Sequence, residues 1–301
     1  MSAGPSDRVT PETAWFTRPV SVGPPSRARS ARIAGIFANL ALTALTLGFL
    51  GPMLWMFAAA FNPLAQLSFD VPTKPSLANF RSVATWDQLY RPLINSMVLS
   101  VTASVITVVA ACLCAYPLSR YKLRFGRMFL YAILMSSGLP IIALMIPTYR
   151  MFTKLHFTNS TIATAMFLAG TSLPFAIWLA KNFIDGVPIT LEEAARTDGA
   201  TTWQTMSRVV FPLIRPGMVV LFIFTFIGNW GNFFVPFILF SDPNKQTASV
   251  AIYNYFNSLG GVYFGRVAAF AILYSAPAVI LYTLISRTLG RSFSFAGAVK
   301  E

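Results

Sequence analysis

The sequence predicts an all-α, polytopic membrane protein with six transmembrane helices. Three observations carry that prediction. Of the 301 residues, 55% are hydrophobic and only 11% are charged, against about a quarter charged in soluble domains. The charges divide the chain into uncharged windows, each holding the roughly 20 residues that cross about 30 Å of hydrocarbon. The 23 Lys and Arg residues also fall unequally on the two sides those windows define.

The windows are Ile33 to Phe69, Pro92 to Ser119, Met128 to Tyr149, Leu155 to Ala180, Pro216 to Ser241 and Val267 to Ser286. Spans are placed within them at about 33–61, 93–119, 128–149, 158–180, 216–240 and 267–286. A seventh window, Gln246 to Gly265, carries Gln246, Thr247, Ser249, Asn254, Asn257, Ser258 and three glycines. It is read as an external segment lying on the surface. With the N-terminus inside, 16 basic residues face the cytoplasm and seven face out. That asymmetry follows the positive-inside rule and places both termini and the loop 181–215 in the cytoplasm.

Residues 1–31 are rich in Pro, Ser and Arg and are read as a disordered cytoplasmic tail, with 32–301 as the transmembrane domain. Ala58-Ala59-Ala60 resembles a signal-peptide cleavage site, but the apolar stretch before it is about twice the usual core length, favouring an uncleaved first span. Gly51-Pro52 predicts a kink near its outer end. Pro72, Pro75 and Trp86 predict a folded-back external loop over Asp70 to Arg91. Cys112 and Cys114, two apart on a helix, point in different directions, so they read as small membrane-buried side chains and neither a disulfide nor a metal set. Arg120, Lys122, Arg124 and Arg127 form a basic turn that anchors spans two and three. Pro140, Pro147, Pro174, Pro236 and Pro277 lie in spans three to six, and helices broken this way tend to surround a pathway.

Several function classes are excluded. His156, the single histidine, has no serine, cysteine or carboxylate at a catalytic spacing, so no catalytic residue is assigned. A membrane-embedded enzyme would need polar groups clustered at one interface, and none cluster. The basic residues form no stripe with interleaved aromatics, so nucleic acid is not a partner. No span contains Asp, Glu, Lys or Arg, which a proton-coupled transporter needs. No Gly-Lys-Ser or Gly-Lys-Thr occurs, so the chain lacks a phosphate-cradling loop. A pathway without its own motor implies a separate ATPase.

The stretch Leu191 to Pro212 supplies the place for it. The segment reads as two short helices in the loop between spans four and five. Thr190 and Glu193 form an expected capping box, and Thr201 with Gln204 a second one. Leu191, Ala194 and Ala195 share one face, and Glu192 and Arg196 stand at i and i+4 as an ion pair on the other. Asp198 sits in the last helical turn, where the helix dipole disfavours a carboxylate. Gly199 ends the helix. The nearly bare Ala194-Ala195 face lets another backbone approach closely, so the helix is read as a rigid knob for a partner's groove.

Glu193-Ala194-Ala195, three residues, Gly199, nine residues, then Val209-x-Phe211-Pro212 resembles the EAA loop of bacterial ABC importer membrane subunits, EAA-x3-G-x9-I-x-L-P. Val209 replaces Ile and Phe211 replaces Leu. The resemblance extends over about residues 33 to 301, through GPMLWMFAAAFNP, PSLANF, NSMVLS, AYPLSRYKLRFG, PFAIWLAKNF and FAGAVK, and points to the maltose-type second membrane subunit of the carbohydrate branch. It implies the type I ABC importer permease fold in a bacterial inner membrane. The implied partners are a second homologous permease subunit, two ATP-binding subunits, an extracytoplasmic solute-binding protein and membrane lipid. ATP and magnesium would sit on the ATPase, with no cofactor on this chain. It further implies that the ATPase docks on Leu191, Glu192, Glu193, Ala194, Ala195, Arg196, Asp198 and Gly199. The branch usually carries W-N-E-F-x-W-P in span five, whereas this chain has Trp230-Gly231-Asn232-Phe233-Phe234-Val235-Pro236. Asn229, Trp230 and Asn232 could still stack on a sugar and bind its hydroxyls. The cargo expected is a sugar, disaccharide or polyol. A glycerol-phosphate-like compound and a facilitator without a motor are the alternatives.

Overall fold

A computed structural model describes residues 26–66, 72, 74–256 and 262–297, with side chains described between residues 35 and 284. The described residues are largely helical and contain no strand. The chain divides into two compact units, residues 1–54 and 55–301.

Helix α1 (Ser26–Ala60) supplies the described part of the first unit. It starts inside the stretch expected to be a disordered tail, and the rest of that tail lies outside the described residues. The helix continues through Pro52. Phe37, Leu40, Leu45 and Phe49 are all exposed, an all-round apolar surface suited to hydrocarbon.

The second unit is built on three helices: α3 (Arg91–Arg120), α6 (Thr161–Asp185) and α10 (Arg215–Trp230), with α3 packed against both others. Every fourth residue of α3 from Leu99 through Ala103, Thr107 and Ala111 to Ala115 is buried. On α6, Ala165, Ala169, Ala176 and Ala180 are buried too. Small side chains on the facing stripes let the backbones approach, which is how helices associate without a hydrophobic drive from water. Cys112 is buried beside them, and Cys114 is exposed and free.

Two expected spans are broken. Residues 128–149 do not form one helix: α4 (Gly126–Ser136) and α5 (Ile141–Lys154) meet at 88°. Pro140 stands in extended conformation before α5, and its missing N–H and fixed φ prevent α4 from continuing. Pro147 is tolerated inside α5, as are Pro174 inside α6 and Pro277 inside α13 (Phe264–Gly297). The expected fifth span, 216–240, stops at Trp230, and the short α11 (Phe234–Leu239) restarts after Gly231. At its other end α10 lies 74° from the preceding segment Thr202–Leu213. Among the described residues four helices are long and apolar enough to cross a membrane, and up to six spans result if each bent pair counts as one.

Around one end, α2 (Ala78–Val83), a π-helical turn at Trp86–Tyr90 and α12 (Ala248–Asn254) close over α13, burying Val83, Leu89, Ala248 and Phe270. The segment expected to lie on the surface is therefore half-buried. It remains outside the spans, and its residues 257–261 are not described. Gly265 is needed there: an added Cβ would press on the Asn79 amide and lie 2.8 Å from the Asn62 carbonyl. That amide donates to the carbonyls of Ala60 (3.1 Å) and Asn62 (2.9 Å).

Candidate functional site

At the other end of the bundle, α6 ends at Asp185, and Pro188, extended at ψ 130°, turns the chain into α7 (Ile189–Thr197). The proline fixes the entry, so Thr190 already lies inside the helix. The expected Thr190–Glu193 capping box therefore does not form; the residue in the cap position is Pro188 and no side chain caps it. The exit matches the sequence expectation. Gly199 adopts φ +86°, its N–H donates to Arg196 O and the Ala200 N–H donates to Ala195 O, both at 3.0 Å. This pair of bonds is a Schellman motif, which needs a residue that tolerates a left-handed backbone. Thr201 then caps α8 (Thr202–Thr205) through the expected box, with Thr201 Oγ1 accepting from the Gln204 N–H at 3.3 Å and Gln204 Oε1 from the Thr201 N–H at 2.8 Å. A π-helical turn at Met206–Val210 and α9 (Phe211–Leu213) complete the segment.

The anchor of α7 differs from the sequence reading. Glu192 does not pair with Arg196 on the surface; it is 3% exposed. Its Oε1 accepts from Arg120 Nε at 2.5 Å and its Oε2 from the Tyr116 hydroxyl at 2.9 Å. Arg120 Nη2 also donates to the carbonyls of Ile184 and Val187, both at 2.9 Å. One guanidinium thus ties the last turns of α3 and α6, the connecting loop and α7 together. Arg196 stays on the outer surface, where the Tyr116 oxygen holds its pKa above the ordinary value. Sequence spacing gave no sign of the Arg120 contact, because the partners lie 72 residues apart.

The outward side of the segment is apolar at its tips and bare between them. Ile189, Leu191 and Trp203 are exposed at 55%, 44% and 62%, and Glu193, Ala194, Asp198 and Gly199 are exposed with them. Seven of the eight residues expected to dock a partner therefore lie on the surface or half-buried, and Glu192 faces inward as their anchor.

Of the residues expected along a substrate path, Asn229 and Trp230 are packed inside the subunit and Asn232 is half-buried. Asn229 is buried and its amide donates to Ser104 Oγ at 3.4 Å. The Trp230 ring stacks between Phe226 (5.5 Å) and Tyr274 (5.4 Å), and its backbone carbonyl accepts from the Tyr274 hydroxyl at 2.6 Å. Asn232 Oδ1 accepts from the Val235 N–H at 3.1 Å, starting α11. Open space lies elsewhere: a groove of about 580 Å³ runs between the α4–α5 elbow and the middle of α6, lined by Ser136, Ser137, Leu139, Phe167, Thr171 and Pro174 among others.

Apolar helices, two of them broken, around a small-residue core, with a polar segment held rigidly at one end, define a membrane permease domain. The chain belongs to the family of binding-protein-dependent transport system inner membrane components, whose model matches residues 107–294. It is 27% identical to a diacetylchitobiose uptake system permease protein of Streptomyces coelicolor, over 88% of this chain and 97% of the relative. It is 29% identical to a trehalose transport system permease protein of Mycobacterium tuberculosis, over 86% and 96%. Among solved structures, a chain from a bacterial ABC transporter involved in the import of the acidic polysaccharide alginate superposes with a TM-score of 0.73 at 21% identity, over 86% of this chain and 97% of the other. The fold is that of ABC importer permeases.

Proposed function

We propose that this chain forms half of the translocation pathway of a carbohydrate importer and transmits movement from a separate ATPase through α7. The observation that carries the proposal is the buried Arg120–Glu192 pair beneath an exposed Ile189, Ala194 and Trp203 surface. A helix so fastened moves as one body with the ends of α3 and α6, so force applied to its outer face reaches the membrane helices. ATP and magnesium belong to two ATPase subunits, a second related permease subunit completes the pathway, and an extracytoplasmic binding protein delivers the cargo. The diacetylchitobiose and trehalose relatives favour a sugar or disaccharide, ahead of a glycerol-phosphate-like compound.

The α4–α5 elbow supports the pathway half of this reading. The 11 residues of α4 reach about 16 Å from the basic turn at about 1.5 Å per residue, near the middle of the hydrocarbon. Residues 137–140 are non-helical and exposed there. Irregular backbone at that depth must face protein or water and not lipid, so the elbow faces the partner subunit or the pathway. Under this reading Asn229, Trp230 and Asn232 meet cargo only when α10 parts from α13.

Uptake assays test the docking role. Glu193→Lys and Gly199→Val should abolish binding-protein-dependent uptake while the chain remains in the membrane at wild-type level. Full transport by both variants would refute it.

A further inference from the structure

A second cavity, of about 350 Å³, opens between the end of α3, the basic turn, α4 and α6. Lys122, Arg127 and Lys181 line it together with Trp178, Leu130 and Leu134. Two of the three charges are uncompensated: Lys181 is paired with Asp185, whose other oxygen accepts from Ser119 Oγ, but Lys122 and Arg127 make no ion pair among the described residues. Lys122 on the basic turn and Arg127 in the first turn of α4 precede Leu130 and Leu134, which lie further along α4. The distribution matches an amphiphile with an anionic head and not a small solute. Because Arg120 joins the same turn to Glu192, the cavity lies at the α7 end of the bundle.

We propose that this cavity holds the headgroup of an anionic phospholipid, with the phosphate between Lys122 and Arg127 and the first acyl carbons against Leu130 and Leu134, short of the elbow. Basic pockets between membrane helices attract such headgroups, and long basic side chains reach the interface while their stems stay on apolar surface. Free phosphate would use the same cations but gains nothing from the leucine wall or from Trp178. The inference is independent of the docking role of α7.

Native mass spectrometry on the full chain assembled with its partner subunits tests it. Phosphatidylglycerol and phosphatidylcholine with identical acyl chains are the probes, and inorganic phosphate is the competitor. Wild-type protein should prefer phosphatidylglycerol by roughly thirty-fold, from about fivefold for each of two basic side chains at a membrane surface. K122Q/R127Q, altered at two exposed positions, should lose that preference, and L130W, which fills the apolar end, should retain less of either lipid. Millimolar phosphate should displace nothing. Equal retention of the two lipids, an unchanged preference in K122Q/R127Q, displacement by phosphate, or a partner side chain filling the cavity in the assembly would each overturn the proposal.

Discussion

Replacing Glu192 with alanine should be among the most damaging single changes on α7, although the residue sits on a short helix at the edge of the molecule. The side chains of Arg120 and Glu192 are 6% and 4% exposed, with Nε and Oε1 2.5 Å apart. Glu192→Ala leaves Arg120 with its two carbonyl contacts but without its counter-charge, and leaves the Tyr116 hydroxyl without an acceptor. Removing one partner of a buried pair costs about 3–5 kcal/mol, whereas an exposed pair is worth about 0.2–1 kcal/mol. A double-mutant cycle over Glu192→Ala and Arg120→Ala, read by thermal unfolding of the purified chain in detergent, separates the two cases. An interaction energy above about 1.5 kcal/mol is expected for groups in one network. The double replacement Arg120→Met with Glu192→Leu should recover most of the stability, since apolar isosteres of a buried pair are often neutral or better. An interaction energy below about 0.5 kcal/mol, the size of a surface helix pair, would refute the anchoring argument.

Two further outcomes follow from the packing. Gly265→Ala should lower thermal stability by about 1–3 kcal/mol, the usual cost of overpacking, because its Cβ meets backbone at Asn62; an unchanged melting temperature would show that the close approach is not tight. A cysteine at Gly138, in the elbow, should react with a water-soluble maleimide or be shielded by the partner subunit, and selective labelling by lipid-soluble reagents would show that the elbow faces hydrocarbon.

The parts of the site legible in the sequence are those whose causes lie within a few residues. Thr201 and Gln204 satisfy each other across three positions, and Gly199 is required by its own φ, so both features followed from spacing alone. Pro140 marked a disturbed span, but whether a proline bends, breaks or merely interrupts a helix depends on what receives the freed backbone groups. The chain shows the contrast directly: Pro147, Pro174 and Pro277 sit inside continuous helices, whereas Pro140 stands at an 88° corner. The start of α7 is displaced for a similarly local reason, the geometry of Pro188 overriding the cap that Thr190 offers.

Glu192 is the instructive failure. Local spacing offered it Arg196, four residues on, and a surface pair worth a few tenths of a kcal/mol. The fold offered Arg120, Tyr116 and burial, a combination that only tertiary structure creates. Apolar packing alone would hold α7 against the bundle without fixing its rotation or its slide, because dispersion contacts are non-directional. A guanidinium that bonds one carboxylate and two carbonyls on different elements fixes both. For the docking role proposed for α7, the ion pair belongs on the inner face, where water cannot screen it, and the outer face is left to Ile189 and Ala194, with Trp203 on α8 also exposed.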